Sequence, residues 1–507
     1  MPAISPEQPV GVVGAGTMGA GVAQLALTAG HPVRLYDIDA AQAAAGRGEI
    51  EKRLARNVEK GRMDAADRDA ALNRLRVASN MQDLADAALV IEAVAEKLEI
   101  KHAVFGQLAE VCAADAILAS NTSSLSITAI AAQVPGPERV AGMHFFNPAP
   151  LMPLVEVVRG IATADDVTAS LVETAETWGK TPVIAKSTPG FIVNRVARPF
   201  YAEALRLMDE RAADASTIDG VLKEAGGFRM GPFELMDLIG VEVNLDVTTS
   251  VFHLMGHDPR YRPSQSQKAL AEAGWNGRKV GVGFHDYREG ATPAQPDTQP
   301  AASPPASVTV VGADRLPEAL LTRVRDAGIV LDSQPLGDAP AHIRLAGGGR
   351  LMPTDGDLAT AHAARTGAEI VLFDLARDYA ETPRLALTAA DRTGDRTWRE
   401  AVGLLQAARI EVSRVDDVPG LIVARTVAML ASEAADAVHQ GVATPEAVDT
   451  AMQKGTNYPL GPLAWADAIG LHAVVALLDN MAAIHGDGRH RVSPLLRRRA
   501  LTGGTLR

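Results

Sequence analysis

The chain has 507 residues, 47% hydrophobic and 22% charged, a globular balance spread over several domains that excludes disorder along its whole length. Its formal net charge of −12 makes it a poor general binder of nucleic acid or anionic membrane, since both are polyanions. The single cysteine, Cys112, excludes an internal disulfide, and without a Cys/His cluster no metal site is expected.

The stretch from Met1 to Val10 lacks the charged-then-apolar pattern of a signal peptide, and no apolar run is long enough to cross a bilayer. A cytoplasmic protein with neither nucleic acid nor membrane as partner is expected. Apolar strands are predicted at Val10–Val13, Val33–Tyr36, Leu89–Glu92, Ile117–Ser120 and Val140–Phe146, with helical stretches between them. That alternation implies a parallel-rich sheet with helices on both faces.

Between the first strand and the first helix lies Gly14-Ala15-Gly16-Thr17-Met18-Gly19, and the second strand ends in Asp37, 18 residues beyond Gly19. Gly14 permits the tight turn, Gly16 lets backbone approach a pyrophosphate, and Gly19 lets the helix pack on the sheet. The pyrophosphate would meet free N–H groups and the positive end of a helix dipole. Asp37 would accept hydrogen bonds from ribose hydroxyls and repel a 2′-phosphate, so NAD is expected over NADP. The first domain is thus read as an α/β Rossmann domain.

Ser123 and Ser124 follow a strand end, where open α/β sheets bind ligands. His144 lies near the end of another strand, with Glu156 12 residues later on the next apolar run. An imidazole oriented by a carboxylate can take a hydroxyl proton as hydride leaves for a nicotinamide. Spacing alone leaves a purely structural strand histidine open.

Residues 187–240 align without a gap with residues 417–470, at a constant offset of 230. STPGFIVNR matches DVPGLIVAR, GPFELMDLIG matches GPLAWADAIG, and Glu203 and Asp219 match Glu433 and Asp449. An all-α helical domain is therefore duplicated. From Arg288 to Ala306 the chain is rich in Pro, Ala and Thr, which predicts an extended, mobile and unpacked linker. A second α/β unit begins with the strand at Val308–Val311. Its turn, Gly312-Ala313-Asp314-Arg315, keeps one glycine of three and puts a carboxylate where a phosphate would go, so this unit is a degenerate copy expected to bind no dinucleotide. The expected domains are 1–186, 187–287, a linker at 288–306, 307–412 and 413–507. The run Arg497–Arg499 reads as a solvated chain end, and His485 and His490 are too few and too loosely spaced for a metal site.

The segments VIEAVAEKLEIK, ASNTSSL, HFFNPAPLMPLVEV, TPGFIVNR, GPFELMD and GRKVGVGF together resemble the L-3-hydroxyacyl-CoA dehydrogenases, almost continuously over residues 8–287. Length and duplication further resemble the bacterial single-chain branch that oxidises 3-hydroxyadipyl-CoA in phenylacetate catabolism, whose relatives act on 3-hydroxybutyryl-CoA. The resemblance implies an enzyme that uses NAD to oxidise an L-3-hydroxyacyl-CoA to the 3-oxoacyl-CoA. It implies His144 as base, Glu156 as its partner, Ser123 on the substrate's C3 oxygen and near the nicotinamide, and Asn194 completing the pocket. Glu96, Lys101, Asn147 and Lys279 would contact NAD, beside the glycine loop and Asp37. Arg53 and Lys60 match the region that meets coenzyme A phosphates, although a solvated helix face fits them equally. Ser187 stands where the family has Asp before TPGF, and His285 where it has Tyr. Two competing readings are a hydroxyacid or phosphogluconate dehydrogenase of similar layout, which would use a lysine as base, and a non-catalytic NAD or acyl-CoA binder. Neither accounts for His144, Glu156, Ser123 and Asn194 together. The expected partner is an acyl-CoA substrate, and a homo-oligomer is compatible with the pattern. Residues 413–507 are expected to pack on residues 186–287 through apolar helix faces, as an internal pseudo-dimer.

Overall fold

The structure is a computed structural model that describes residues 2–337 and 340–507. The chain divides into two units, Met1–Arg195 with Ala437–Thr456, and Val196–Asp436 with Asn457–Arg507.

The first unit is built on eight strands: β1 (Val10–Val13), β2 (Val33–Tyr36), β3 (Leu75–Val77), β4 (Leu89–Glu92), β5 (Ile117–Ser120), β6 (Val140–Phe145), β7 (Leu154–Arg159) and β8 (Thr181–Lys186). Their order in the sheet is β3-β2-β1-β4-β5-β6-β7-β8. Every neighbouring pair is parallel except β6–β7. β1, β4 and β5 are buried along their whole length, as strands covered by helices on both faces must be, and so read as unbroken apolar runs. The antiparallel β6–β7 pair sets His144 directly opposite Glu156.

At the other end of this sheet the helix Pro445–Thr456, from the duplicated segment, packs on β7 and β8. The Lys186 N–H donates to the Val442 carbonyl at 2.8 Å, and Arg195 Nη1 donates to Gln440 Oε1 at 2.9 Å. Gly455 permits the approach, because a Cβ there would stand 2.6 Å from Leu154 Cδ2. These residues, part of the expected domain 413–507, pack with the first sheet.

The second unit holds the helices Arg198–Asp209, Ala215–Glu224, Pro232–Ile239 and Val241–Leu254, then a seven-stranded sheet, then Pro462–Ile469, Leu471–His485 and Pro494–Thr502. The strands are β9 (Ser307–Val311), β10 (Val330–Gln334), β11 (His342–Arg344), β12 (Arg350–Pro353), β13 (Ile370–Phe373), β14 (Arg384–Ala389) and β15 (Glu411–Arg414), in the order β10-β9-β11-β12-β13-β14-β15. The offset of 230 carries β6, β7 and β8 onto β13, β14 and β15. A short antiparallel β11 takes the place that parallel β4 has in the first sheet. Among the described residues no single helix is long and apolar enough to cross a membrane.

The Pro/Ala-rich segment corrects the expectation of a mobile linker, for it is a packed strap. The Asp297 carbonyl accepts from Ser413 Oγ at 2.6 Å and from Arg384 Nη1 at 3.1 Å. The Gln299 N–H donates to Val412, and the Ala302 N–H to Gln406 Oε1. Pro296 fills the space a Cβ on Gly220 would need. Prolines remove donors and hold the strap extended, while Arg384 and Ser413 of the second sheet and Gln406 of the helix Asp395–Ala407 satisfy its carbonyls.

Within this unit the two helical copies, expected to pack through apolar faces, meet through rings and also through buried charge. Phe228 lies 5.1 Å from Tyr458 and 5.7 Å from Trp465, centroid to centroid. Arg425, fully buried, reaches Glu203 at 2.6 Å and Glu210 at 2.8 Å. Arg260 reaches Glu433 at 2.8 Å and Asp436 at 2.9 Å. His485 and His490, whose rings are 4.6 Å apart, join this network through Glu210 and Glu203.

Burial alone would raise the pKa of Glu203, but Arg206, Arg425 and His490 outweigh it and hold the carboxyl well below its ordinary value. A depressed carboxylate adds stability above its unfolded pKa and loses it as pH falls through the folded one. Arg425→Leu, which leaves Glu203 and Glu210 short of their buried partner, is expected to cost about 3–5 kcal/mol. The measurement is the urea midpoint at neutral pH. The variant should also lose less stability than the parent as the solution is acidified.

Candidate active site

The glycine loop is shaped by contacts its sequence requires. Gly14 has φ of +100°, and a Cβ there would lie 2.5 Å from the Ala93 carbonyl oxygen. A Cβ on Gly19 would lie 1.7 Å from the Gly14 carbonyl oxygen, whereas one on Gly16 would meet nothing within 4 Å. The helix Thr17–Thr28 therefore begins under open space, with no side chain capping it and no acidic residue in its first turn. Asp37 directly follows β2 and accepts the Ala15 N–H at 2.7 Å, which holds its carboxylate beside the loop. Uncapped amides, open space and a neighbouring carboxylate fit a dinucleotide's pyrophosphate and ribose.

The second cluster contains a residue the sequence reading missed. Glu92, at the end of β4 and fully buried, accepts from Lys101 Nζ at 2.7 Å and from Ser120 Oγ at 2.6 Å. Lys101 also pairs with Glu96 at 3.3 Å. Lys101, expected to touch NAD, lies buried between these two carboxylates and holds Glu96 in place. Glu96 Oε1 in turn accepts from Thr122 Oγ1 at 2.6 Å and from the N–H groups of Ser123 and Ser124 at 3.0 and 3.1 Å. Burial opposes the charge on Glu96, but Lys101 and the hydroxyls of Thr122 and Ser124 outweigh it, so its carboxyl lies below the ordinary range. The loop carrying Ser123 is thereby fixed. A carboxylate closing an apolar strand, with a lysine nine residues on, was the available signal.

The third cluster brings His144, Glu156 and Asn194 into one region of the first unit. His144 Nδ1 lies 2.6 Å from Glu156 Oε2, and Glu156 is fully buried. Glu156 Oε1 accepts the N–H groups of Ile192 and Val193 at 2.9 and 3.0 Å. Those amides are aimed by the turn before them, where Phe191 takes φ of +46°, a left-handed conformation that a bulky residue holds only when its surroundings require it. The Phe191 ring also flanks His144, at 5.9 Å between centroids. Asn194 Nδ2 donates to the Ser123 carbonyl at 3.3 Å, tying the start of the helical region to the serine loop. A carboxylate only accepts, so the proton of the neutral imidazole is on Nδ1 and Nε2 is the free acceptor.

The remaining predicted residues are more scattered. Asn147 is exposed just past β6. The chain beyond it, Ala149 to Met152, is pinned by Lys180 Nζ, which donates to the carbonyls of Ala149 at 2.7 Å and Met152 at 2.8 Å. Burial lowers the Lys180 pKa to about 8. No spacing in the sequence marks this lysine. Arg53 pairs with Glu49 at 2.8 Å, and its guanidinium reaches within 3.7 Å of where a Cβ on Gly21 would stand; Lys60 is exposed. In the second unit Lys279 pairs with Glu242. Of the two departures, Ser187 Oγ accepts the Ile127 N–H at 2.9 Å, and His285 Nε2 meets Asp219 at 2.8 Å. Among the described residues no group of side chains could hold a metal ion.

In the second unit the offset of 230 puts Asp374 at the register of His144 and Ala386 at that of Glu156. The Asp374 carboxylate accepts the N–H groups of Ile422 at 3.0 Å, Val423 at 2.7 Å and Ala424 at 3.0 Å. The acceptor for the helix start survives there, and the imidazole does not.

Known proteins are similar to this chain. Residues 9–188 match the family described as "3-hydroxyacyl-CoA dehydrogenase, NAD binding domain", and residues 190–287 and 420–505 match its "C-terminal domain". Residues 351–419 match "3-hydroxybutyryl-CoA dehydrogenase reduced Rossmann-fold domain". A protein of Escherichia coli (strain K12) named 3-hydroxyadipyl-CoA dehydrogenase is 43% identical over 494 residues, covering 97% of this chain and 98% of its own length. A probable 3-hydroxybutyryl-CoA dehydrogenase of Bacillus subtilis (strain 168) is 42% identical over 278 residues, 55% of this chain and 96% of its own. A crystal structure of 3-hydroxybutyryl-CoA dehydrogenase from Escherichia coli K12 is similar with a TM-score of 0.89, at 42% identity over 98% of each chain. With residues of both units matched and a relative similar along almost the full length, the chain belongs to the 3-hydroxyacyl-CoA dehydrogenase family.

Proposed function

We propose that this chain oxidises the C3 hydroxyl of an L-3-hydroxyacyl-CoA to a ketone, with 3-hydroxyadipyl-CoA as its substrate. The observation that carries the reaction is the His144–Glu156 pair, with Nδ1 committed to the carboxylate and Nε2 free. His144 takes the hydroxyl proton at Nε2, and Glu156 holds the ring and stabilises the imidazolium. Ser123 donates to the C3 oxygen, and Asn194 completes the pocket wall. Bound NAD supplies the two-electron acceptor that the oxidation requires. The chain's own part is to seat it, with Gly14 to Gly19 under the pyrophosphate, Asp37 at the ribose, and Glu96, Lys101, Asn147 and Lys279 as further contacts. Arg53 and Lys60 face the phosphates of coenzyme A. The reducing cytoplasm suits the lone thiol of Cys112, which is buried and whose pKa burial pushes up.

The adipyl substrate is supported by the relative of that name, which matches both halves of the chain. A second reading, 3-hydroxybutyryl-CoA, is favoured by the name of the similar crystal structure. Rates with 3-hydroxybutyryl-, 3-hydroxyhexanoyl- and 3-hydroxyadipyl-CoA at fixed NAD separate them. The highest kcat/KM should fall on the adipyl compound, and a higher value for the four-carbon substrate selects the second reading.

We also infer that the two helical copies form an internal pseudo-dimer and that 1–186, 187–287, 307–412 and 413–507 are the chain's modules. The reading is supported by the constant offset of 230 and by the reciprocal use of Glu203 and Glu433 in buried ion pairs.

His144→Ala is expected to lower kcat by about 10²–10⁴-fold, the usual contribution of a general base, with the dissociation constant for NAD nearly unchanged. Stopped-flow turnover and a fluorescence titration measure the two. A chain ending at Glu289 should expose its apolar face and self-associate in analytical ultracentrifugation. A stable monomer with the parent's Tm and full activity would remove the pseudo-dimer.

A further inference from the structure

The second unit contains a cavity of about 680 Å³, within the range of small-molecule sites, that the proposed chemistry does not use. It opens at the C-terminal ends of β12 and β13, the edge where α/β sheets receive ligands, and is roofed by the helices Pro462–Ile469 and Leu471–His485. Its walls are apolar, formed chiefly by Met352, Phe373, Leu375, Trp465, Val474 and Leu477. Beside it Gly356, with φ of +94°, lets the chain after β12 approach the helix Leu471–His485, since a Cβ there would stand 2.3 Å from the Leu477 carbonyl oxygen.

Two arginines, Arg315 and Arg377, belong to the lining. Arg315 has an exposed neighbour in Asp314 at 3.4 Å. Arg377 is exposed, and among the described residues no carboxylate pairs with it. It is nevertheless held in place, because its N–H donates to the Ala225 carbonyl at 2.8 Å and its guanidinium lies over Gly227, where a Cβ would come within 2.6 Å of Nε. Among the described residues the one acidic lining residue, Asp355, is engaged by His362 at 3.0 Å and by the Asp357 N–H at 3.1 Å. The lining therefore offers an apolar body and an unopposed cation.

A dinucleotide does not fit this chemistry. The turn after β9 carries Asp314, and the following helix starts only at Glu318 with an acid in its first turn. Catalysis does not fit either, since the Asp374 carboxylate at the His144 register is buried and taken up by three backbone amides. We propose that this cavity is a non-catalytic binding site for a medium-chain aliphatic monocarboxylate, with its chain among the apolar walls and its carboxylate on Arg377.

Octanoate is the probe, titrated calorimetrically into the full chain saturated with NAD. One site per chain is expected. Arg377→Ala should weaken binding about ten-fold or more, the scale of a lost charge-assisted hydrogen bond. Ala473 and Ala476 are exposed and line the cavity one helical turn apart. Ala473→Trp or, as a second variant, Ala476→Trp fills it from the surface and should abolish binding, while Tm and the rate of NAD reduction with 3-hydroxyacyl-CoA stay at parental values. Octanol, which has no charge, should bind at least about ten-fold more weakly than octanoate. No heat at millimolar octanoate, undiminished binding in both tryptophan variants, or equal affinity for octanol would each overturn the proposal.

Discussion

A single buried carboxylate constrains both the shape and the chemistry of the first unit. Glu156 has no contact with solvent, and an ionised carboxylate in such a place costs several kcal/mol unless its lone pairs are met. Three donors meet them: the His144 ring on one oxygen, and the amides of Ile192 and Val193 on the other. The first contact fixes the tautomer and direction of the imidazole. The other two fix where the chain turns out of the sheet and begins its helices, which places Asn194 against the serine loop. Loss of any one donor would disturb the other two, because they share one anion.

The second half separates these two duties. Asp374 occupies the histidine's register yet performs the glutamate's structural task, receiving the amides of Ile422, Val423 and Ala424, while Ala386 replaces the glutamate itself. Leu421, the counterpart of Phe191, keeps the same left-handed turn with φ of +52°. The demand for an anion at that helix start is thus a requirement of the fold, and the imidazole is an addition to it. A copy released from catalysis kept the first and lost the second.

What the sequence disclosed was local in origin. Gly14, Gly16 and Gly19 are dictated by a turn and one helix packing on one strand, so their spacing alone carried the argument. The five strands read from apolar runs are present, whereas Leu75–Val77 is too short to signal itself and Leu154–Arg159 showed only as the apolar run holding Glu156. The buried Glu92–Lys101 pair was half visible: its residues lie in a quoted motif, but only the fold shows that the lysine meets a buried carboxylate. The Pro/Ala strap was misread because composition reports stiffness and not docking, and its partners Arg384, Gln406 and Ser413 lie about a hundred residues away. The placement of His144 beside Glu156 depended on an antiparallel pairing that no periodicity announces, and family resemblance supplied it.

The helix Pro445–Thr456 covers strands made near the beginning of the chain. On the ribosome, at about 5–20 residues per second, β7 and β8 emerge on the order of tens of seconds before their cover does. During that interval the apolar side chains of Leu154 and Val193, later closed by Gly455, stand open beside an unfinished sheet edge. The nascent protein therefore carries an adhesive surface for most of its synthesis, and completing the first unit waits on nearly the last of the polypeptide. A gene arranged this way ties its yield to translation speed and to whatever chaperone shields that edge in the meantime.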